Sequence, residues 1–282
     1  MQFLIVNGNI VAKEEANFKS FLWNDPILIS QKAWFGFGGI PLLNENIENL
    51  QQQLNSFGAD LPPLFLNFRE LFRLCKRLLN KNKFYRSGHL LFQFSITKQQ
   101  VNFMVAAENY NGFNFPLIEH GFLVNISSAK KYSLQLYNNL RCHNSRFWEA
   151  VKKELRETPF HNSIICNQFG FVSEAIAANL FFVKDGVLIT PALESGCYED
   201  VLRNIVLEQA AKMQIKILES AEIKPDLLLV LDEAFLVSEA CGVEWILGIE
   251  NKRFVRSVLI ELHEKINHYL KEKVKNQQRS QG

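Results

Sequence analysis

Apolar residues follow two spacings along the chain, and these spacings separate predicted strands from predicted helices. Runs of strand length lie at residues 3–6, 10–12, 21–23, 27–30, 89–97, 101–107, 122–126, 179–183 and 187–190. Apolar residues recur every three or four positions, as on one face of a helix, at about 44–56, 62–79, 199–210 and 257–270. The turn sequences Asn7-Gly8-Asn9 and Asp185-Gly186 each separate two apolar runs, which is typical of β-hairpins. The pattern predicts a mixed α+β protein.

Two domains are predicted from the length of the chain and from one irregular segment. The 282 residues are 48% hydrophobic and include 24 Phe, enough for two sizeable cores. Gly112 and Pro116 interrupt the pattern between strand-like runs. We therefore expect a small α+β domain at 1–115, a linker at 116–120 and a larger α+β domain at 121–282. Within the first domain, Pro62-Pro63 opens an apolar stripe that extends to Leu79, which predicts one continuous helix.

Charge and cysteine usage exclude several classes of function. The formal net charge is +2, so no electrostatic signal points to nucleic acid or to a membrane surface. The five cysteines contain no C-x-x-C pair, and no metal-ligand spacing is present. The first residues lack the features of a signal peptide, and no apolar run reaches the length of a membrane span. These observations predict a cytoplasmic protein without a metal centre.

One stretch carries a specific family pattern. Residues 172–203 read V-S-E-x-x-x-x-N-L-F-x-V-x-D-G-x-L-x-T-P-x-L-x-x-G-x-x-x-x-x-x-R. This string closely resembles the class IV aminotransferases, the fold-type IV pyridoxal phosphate (PLP) enzymes that include branched-chain and D-amino-acid aminotransferases and aminodeoxychorismate lyase. The resemblance implies a two-domain fold like that of D-amino-acid aminotransferase, PLP as cofactor and a homodimer. It also assigns to Glu174 the family glutamate that pairs with the cofactor's pyridine nitrogen.

The position of the family's Schiff-base lysine is substituted. The family motif L/I-K-x-L-N aligns with residues 140–144, in which Asn144 is kept and Arg141 stands at the lysine position. A guanidinium stays protonated and offers no lone pair to an aldehyde. Lys130 and Lys131 lie upstream, and neither aligns without breaking the asparagine match. The resemblance therefore implies that Arg141 occupies the catalytic position but cannot bind PLP covalently.

The residues expected at the cofactor phosphate also depart from the family. Asn49 stands where the family has a phosphate-binding arginine. Asp200, Val201 and Leu202 replace the glycine, isoleucine and threonine or serine at the start of a helix. Free N–H groups at a helix start attract an anion, whereas the acids Glu199 and Asp200 would repel a phosphate there. These positions predict a weakened phosphate site.

A third group of residues matches the family loop that meets the substrate carboxylate. This loop reads Ser238-Glu239-Ala240, where the family has small or hydroxyl residues. A glutamate at this place disfavours an amino or keto acid through repulsion of like charges.

Three functions remain open from the sequence. The first, which we favour together with the third, is a pseudoenzyme: a class IV aminotransferase or aminodeoxychorismate-lyase-like protein with a degenerate PLP site that does not catalyse standard PLP chemistry. Its interdomain cleft is then empty or binds another small ligand or a protein partner. The second is an active PLP-dependent aminotransferase or aminodeoxychorismate lyase, acting on an amino acid or aminodeoxychorismate. The third is a different enzyme that uses the same cleft without PLP, with Arg141 as an anion clamp.

Overall fold

The structure, a computed structural model, describes residues 2–19, 26–97, 100–133 and 145–279 of the chain. It divides into two compact units. The first contains the chain up to Phe115 and the C-terminal stretch from Tyr269 on, and the second runs from Pro116 to His268 apart from the residues outside the described ranges. The structure therefore has the mixed α+β composition that the apolar spacing predicts. The predicted strand at 21–23 lies outside the described residues.

An antiparallel sheet forms the first unit, with strand order β2-β1-β5-β4-β3. Its strands are β1 Phe3–Val6, β2 Asn9–Ala12, β3 Ile27–Phe35, β4 Gly88–Ile96 and β5 Val101–Asn109. Its helices are α1 Leu43–Ser56, α2 Pro63–Leu66 and α3 Phe68–Lys81. The predicted opening hairpin is confirmed, because Asn7 and Gly8 both have positive φ, 45° and 90°, as a two-residue turn of this type requires.

The core of the first unit lies between this sheet and its helices. Buried apolar side chains of α1 and α3 pack with those of β3, β4 and β5. At its centre the ring of Phe65 contacts Phe103 edge-on at 4.9 Å and Phe94 at 5.1 Å. Such aromatic contacts add specific geometry to the burial of large apolar surfaces.

The prediction of one helix between Pro62 and Leu79 is wrong in one respect. Asn67 separates α2 from α3 with φ −103° and ψ 84°, and its side-chain oxygen accepts a hydrogen bond from the Glu70 N–H at 3.2 Å. Asparagine is a favoured N-cap, so the chain restarts the helix at this residue. The apolar stripe continues through the break, which is why the spacing alone did not reveal it.

The second unit is built on a sheet of nine strands among the described residues. Its strands are β6 Leu117–Lys131, β7 Asn162–Asn167, β8 Val172–Ala175, β9 Asn179–Lys184, β10 Val187–Pro191, β11 Lys216–Ser220, β12 Glu233–Ser238, β13 Gly242–Ile249 and β14 Lys252–Arg253. The order is β11-β10-β9-β12-β13-β6-β7-β8, with β14 paired to β13. Its helices are α4 Ser145–Leu155, α5 Val201–Lys212 and the first part of α6, which spans Ser257–Arg279. The Asp185-Gly186 hairpin joins β9 to β10 as predicted.

Residues 117–120 belong to strand β6 and not to a linker as predicted. Leu117 and Ile118 pair with Val243 and Glu244 of β13. Gly121 has φ +64° and lies where an added Cβ would come within 2.6 Å of the Trp245 ring. The glycine allows an irregularity within a continuing strand, where the sequence pattern suggested a break.

The last helix is shared between the units. The prediction placed all of it in the second domain, whereas α6 from Tyr269 on groups with the first unit. There the Gln277 side chain donates to the Pro41 carbonyl oxygen at 3.2 Å, and Val274 is buried against Gly39. A helix of 23 residues extends about 34 Å, so its first and last turns can belong to different units. Across the described residues, no helix is both long and apolar enough to cross a membrane.

Candidate functional site

Glu174 lies in β8 and is only 3% exposed. Its Oε1 accepts a hydrogen bond from Lys131 Nζ at 2.5 Å, and its Oε2 accepts one from the backbone N–H of Tyr198 at 2.9 Å. A buried carboxylate needs such partners because burial alone disfavours its charged form. The sequence identified Glu174 but not Lys131 as its partner, since the two residues are 43 positions apart.

The loop before α5 is held from several sides. Asn179 of β9 donates its side-chain amide to the Tyr198 carbonyl oxygen at 2.7 Å, so Tyr198 is bound at both its N–H and its carbonyl. Gly196 has φ +86°, and an added Cβ would lie 2.8 Å from the Ser133 Cα. Only glycine fits this backbone conformation and this close approach. The loop therefore has a defined path from Gly196 to the start of α5.

The N-terminus of α5 is capped by a side chain of the protein itself. The helix begins at Val201, and Asp200 is its N-cap, with Asp200 Oδ1 accepting a hydrogen bond from the Leu202 N–H at 2.9 Å. The prediction placed Glu199 and Asp200 within the first helical turn. Both residues precede that turn, because Asp200 has the extended backbone (φ −80°, ψ 140°) of a cap residue. Leu202 is fully buried.

Asn49 lies in α1 and belongs to the first unit. Its side-chain oxygen accepts a hydrogen bond from Gln53 Nε2 at 2.6 Å, and the same Gln53 nitrogen lies 3.4 Å from Gln31 Oε1. Gln31 in turn donates to Asn46 Oδ1 at 2.6 Å. The position expected to carry a phosphate-binding arginine is therefore part of a network of amide side chains.

The loop Ser238-Glu239-Ala240 begins at the last residue of strand β12, Ser238, in the second unit. Val237 pairs with Asn179 of β9, whose amide binds Tyr198, so the loop begins at the same end of the sheet as the Tyr198 loop. Ser238 Oγ accepts the Cys241 N–H at 3.2 Å, and Glu239 is buried. These contacts bring the predicted substrate-side residues to the sheet end where Asn179 binds the Tyr198 loop.

The carboxyl group of Glu244 lies in β13, the strand that follows this loop. Burial raises the pKa of Glu244 to about 7, and a hydrogen bond with the Cys241 thiol offsets part of that rise. The sequence pattern does not single out Glu244, because no spacing distinguishes it from an exposed strand glutamate. Arg141 and Asn144, in contrast, lie outside the described residues, and the substitution at Arg141 rests on the sequence alone.

The comparisons with known proteins identify the family. A sequence profile described as "Amino-transferase class IV" matches residues 37–244 of the 282. This chain belongs to the class IV aminotransferase family. The resemblance found in residues 172–203 is thereby confirmed, and the family is a PLP-dependent one.

Individual relatives match shorter segments. A probable branched-chain-amino-acid aminotransferase of Synechocystis sp. is 33% identical over 101 residues, which are 36% of this chain and 33% of that protein. A branched-chain-amino-acid aminotransferase of Pseudomonas aeruginosa is 33% identical over 84 residues, which are 30% of this chain and 27% of that protein. The matched segments thus span only about a third of these relatives' own length.

Solved structures extend the likeness to nearly the whole chain. The branched-chain aminotransferase of Thermoproteus uzoniensis, solved with norvaline, has a TM-score of 0.80 and 22% identity, covering 96% of this chain and 95% of that one. The PLP form of the enzyme from Thermobaculum terrenum has a TM-score of 0.82 and 16% identity, covering 96% and 94%. The chain therefore has the fold-type IV fold that the sequence predicts.

The described residues fit PLP at one end and not at the other. Glu174 is a buried carboxylate, which is the kind of group that pairs with a pyridine nitrogen. At the start of α5, however, the Asp200 carboxylate already binds the Leu202 N–H. A helix N-terminus attracts a phosphate through its free N–H groups, and a fixed carboxylate there repels the phosphate and uses one of those groups. The residues at this helix start do not fit a phosphate.

Proposed function

We propose that this chain has kept the fold of its family but does not carry out standard PLP chemistry, and that it binds a different small ligand. The observation that carries the proposal is the hydrogen bond from the Leu202 N–H to Asp200 Oδ1. It supports a helix start at which the chain itself already binds one of the N–H groups that a phosphate would need. Arg141 in place of the Schiff-base lysine and Asn49 in place of the phosphate-binding arginine point in the same direction.

The charges near the site indicate which ligands are disfavoured. Asp200 and Glu239 are buried carboxyl residues of the second unit. Repulsion of like charges makes such surroundings unfavourable for a phosphate or a second carboxylate. We therefore propose a ligand that is neutral or carries an amino group, and not an amino acid bound through its carboxylate.

The first test is the binding of PLP to the purified protein. We expect no visible absorbance band of lysine-bound PLP after incubation at micromolar PLP and dialysis. We also expect no mass increase after borohydride reduction. A stable yellow wild-type protein would contradict the proposal and would favour the alternative, an active PLP-dependent aminotransferase or lyase.

Restoring the lysine alone should not restore PLP binding. Arg141→Lys supplies the amine, but Asp200 still occupies the helix start, and Asn49 and Leu202 offer no replacement phosphate contacts. Each lost charge-assisted contact costs about 1.5–3 kcal/mol, so two losses weaken affinity by roughly a thousandfold. We expect Arg141→Lys to stay colourless at micromolar PLP.

The matched variant for this test combines Arg141→Lys with Asn49→Arg, Asp200→Gly and Leu202→Thr. It returns the lysine and the phosphate-binding groups together, and we expect it to gain the visible band. A colourless combined variant that is folded by circular dichroism, or a yellow single variant, would show that the phosphate end is not what prevents binding.

We also propose a homodimer, which is the assembly that the family resemblance implies. Light scattering at micromolar concentration tests it directly, with twice the 32.6 kDa mass of the chain as the expected result. A mass of one chain across that concentration range would rule it out.

A further inference from the structure

The ion pair between Lys131 and Glu174 is buried. The Lys131 side chain is 13% exposed and that of Glu174 is 4% exposed, and their charged atoms are 2.5 Å apart. Most ion pairs in the described part of the chain lie at the surface, such as Lys32 with Glu108. Surface pairs contribute little to stability, whereas removing one partner of a buried pair leaves an uncompensated charge.

Sheet geometry explains how the two residues meet. Lys131 at the end of β6 pairs with Asn167 of β7, and Glu174 of β8 pairs with Ile165 of β7. Ile165 and Asn167 are two positions apart on one strand, so their cross-strand partners lie on the same face of the sheet. The Lys131 side chain thus passes over β7 and joins two strands that do not pair with each other.

Glu174 is also connected to the loop before α5. Its Oε2 accepts the Tyr198 N–H, two residues before the cap residue Asp200. The position of the carboxylate therefore affects the path of the chain into the helix start. The positive charge of Lys131, which holds Glu174 in place, therefore also holds the Tyr198 loop.

We propose that Lys131 is the built-in counter-ion of Glu174, so that the chain itself keeps this carboxylate paired and positioned without a bound cofactor. The role of Lys131 is that of a positioning residue, since it acts through Glu174 and the Tyr198 loop. This inference deepens the proposed function and rests on it, because the cation that a pyridinium ring would bring to Glu174 is already supplied by the chain.

Thermal unfolding of four variants tests the pair. Lys131→Met keeps the length of the side chain and removes its charge, and we expect the Tm of the ligand-free protein to fall by roughly 10 °C. Lys131→Arg keeps the charge and should recover at least half of that loss. Adding Glu174→Gln to Lys131→Met removes the unpaired carboxylate and should also recover at least half. The control Lys130→Met removes the exposed neighbouring lysine of the same strand and should shift the Tm by less than 2 °C.

Rescue by a small cation distinguishes the role of charge from that of packing. Lys131→Ala leaves space for an alkylammonium ion next to Glu174, and we expect ethylammonium chloride at tens of millimolar to raise its Tm by several degrees. Sodium chloride at the same concentration controls for ionic strength. Lys131→Ala combined with Glu174→Gln should show no such rise.

The proposal is overturned if Lys131→Met alone and Lys131→Met combined with Glu174→Gln lower the Tm by the same amount. It is also overturned if ethylammonium chloride raises the Tm of Lys131→Ala no more than sodium chloride does. Should Lys131→Met fail to fold, the variant that combines Lys131→Met with Glu174→Gln decides the matter. If this combined variant folds, the proposal is supported, and if it does not fold, the proposal is overturned. All measurements use protein without PLP. If the wild-type protein turned yellow with PLP, the proposed function would be refuted. The energetic coupling of Lys131 and Glu174 would still be known, because the unfolding experiments measure it independently.

Discussion

At the scale of single residues, Glu244 is the clearest case of a side chain whose charge opposes folding. Burial raises its pKa from 4.5 to about 7, and the Cys241 thiol offsets only part of that effect. The folded protein therefore binds a proton between about pH 4.5 and pH 7 that the unfolded chain releases. Because the folded state binds more protons in this range, stability falls as the pH rises through it.

Glu244→Gln removes this dependence. We expect the variant to be more stable than the wild type by about 2–3 kcal/mol at pH 8, and to gain nothing at pH 4.5, where the wild-type carboxyl is already neutral when folded. Urea unfolding at the two pH values measures the difference. Glu222→Gln, which changes an exposed acid, should show no such trend, and an equal gain at both pH values would exclude the raised pKa as the cause.

Single residues also show where sequence reasoning succeeds. Glu174 was found because a fixed motif surrounds it, and the turn at Asp185-Gly186 because its chemistry is local. Lys131 was not found as the partner of Glu174, since the pairing depends on how β6, β7 and β8 are ordered in the sheet. Nothing in the sequence near Lys131 distinguishes it from its exposed neighbour Lys130.

At the scale of elements, the start of α6 shows a cap that comes from a distant strand. Glu233 of β12 is buried, and its two carboxylate oxygens accept the N–H groups of Val258 and Leu259 at 2.8 and 3.1 Å. A carboxylate at a helix N-terminus both satisfies free N–H groups and interacts favourably with the helix dipole.

Glu233→Ala should destabilise the protein by about 2–3 kcal/mol, because two charge-assisted hydrogen bonds are lost and two N–H groups lose their partner. The free energy of unfolding in urea measures this loss. Glu261→Ala changes an exposed acid of the same helix and should stay within about 0.5 kcal/mol of the wild type. Equal effects of the two substitutions would show that Glu233 is not the cap.

Elements were predicted well where their signals are local and less well where distant contacts decide. The strands β4 and β5 and helix α1 follow from spacing. The spacing of apolar residues does not reveal the break at Asn67, because the apolar stripe continues at the same spacing on both sides of this cap residue. The early start of β6 was missed because Gly121 allows an irregular strand to continue, and the partner strand β13 is far away in sequence.

At the scale of the whole molecule, the division of α6 between the two units departs most from the sequence-based domain boundaries. Val274 is buried beside Gly39, where an added Cβ would lie 2.8 Å from the valine Cγ1. No pattern in the sequence reveals this contact, since the two residues are separated by most of the chain. A helix with one continuous apolar stripe is compatible with one core or with two.

Gly39→Ala should therefore destabilise the protein by about 1–3 kcal/mol through overpacking. Adding Val274→Ala makes space for the new methyl group, so the double variant should lose less than the sum of the two single losses. Unfolding in urea of the three variants gives the coupling energy between the sites. Strict additivity would show that the C-terminal part of α6 does not pack on Gly39.

The capped start of α5 has a consequence for how the protein responds to its surroundings. A ligand that binds only the folded state adds a stability that grows with its concentration. A helix start open to phosphate would couple the amount of folded protein to the supply of phosphorylated cofactor. Here Asp200 is covalently part of the chain, so its contribution is constant. Under the function proposed above, we expect the abundance of this protein to stay the same when vitamin B6 is scarce, whereas the abundance of a relative that PLP stabilises should decline.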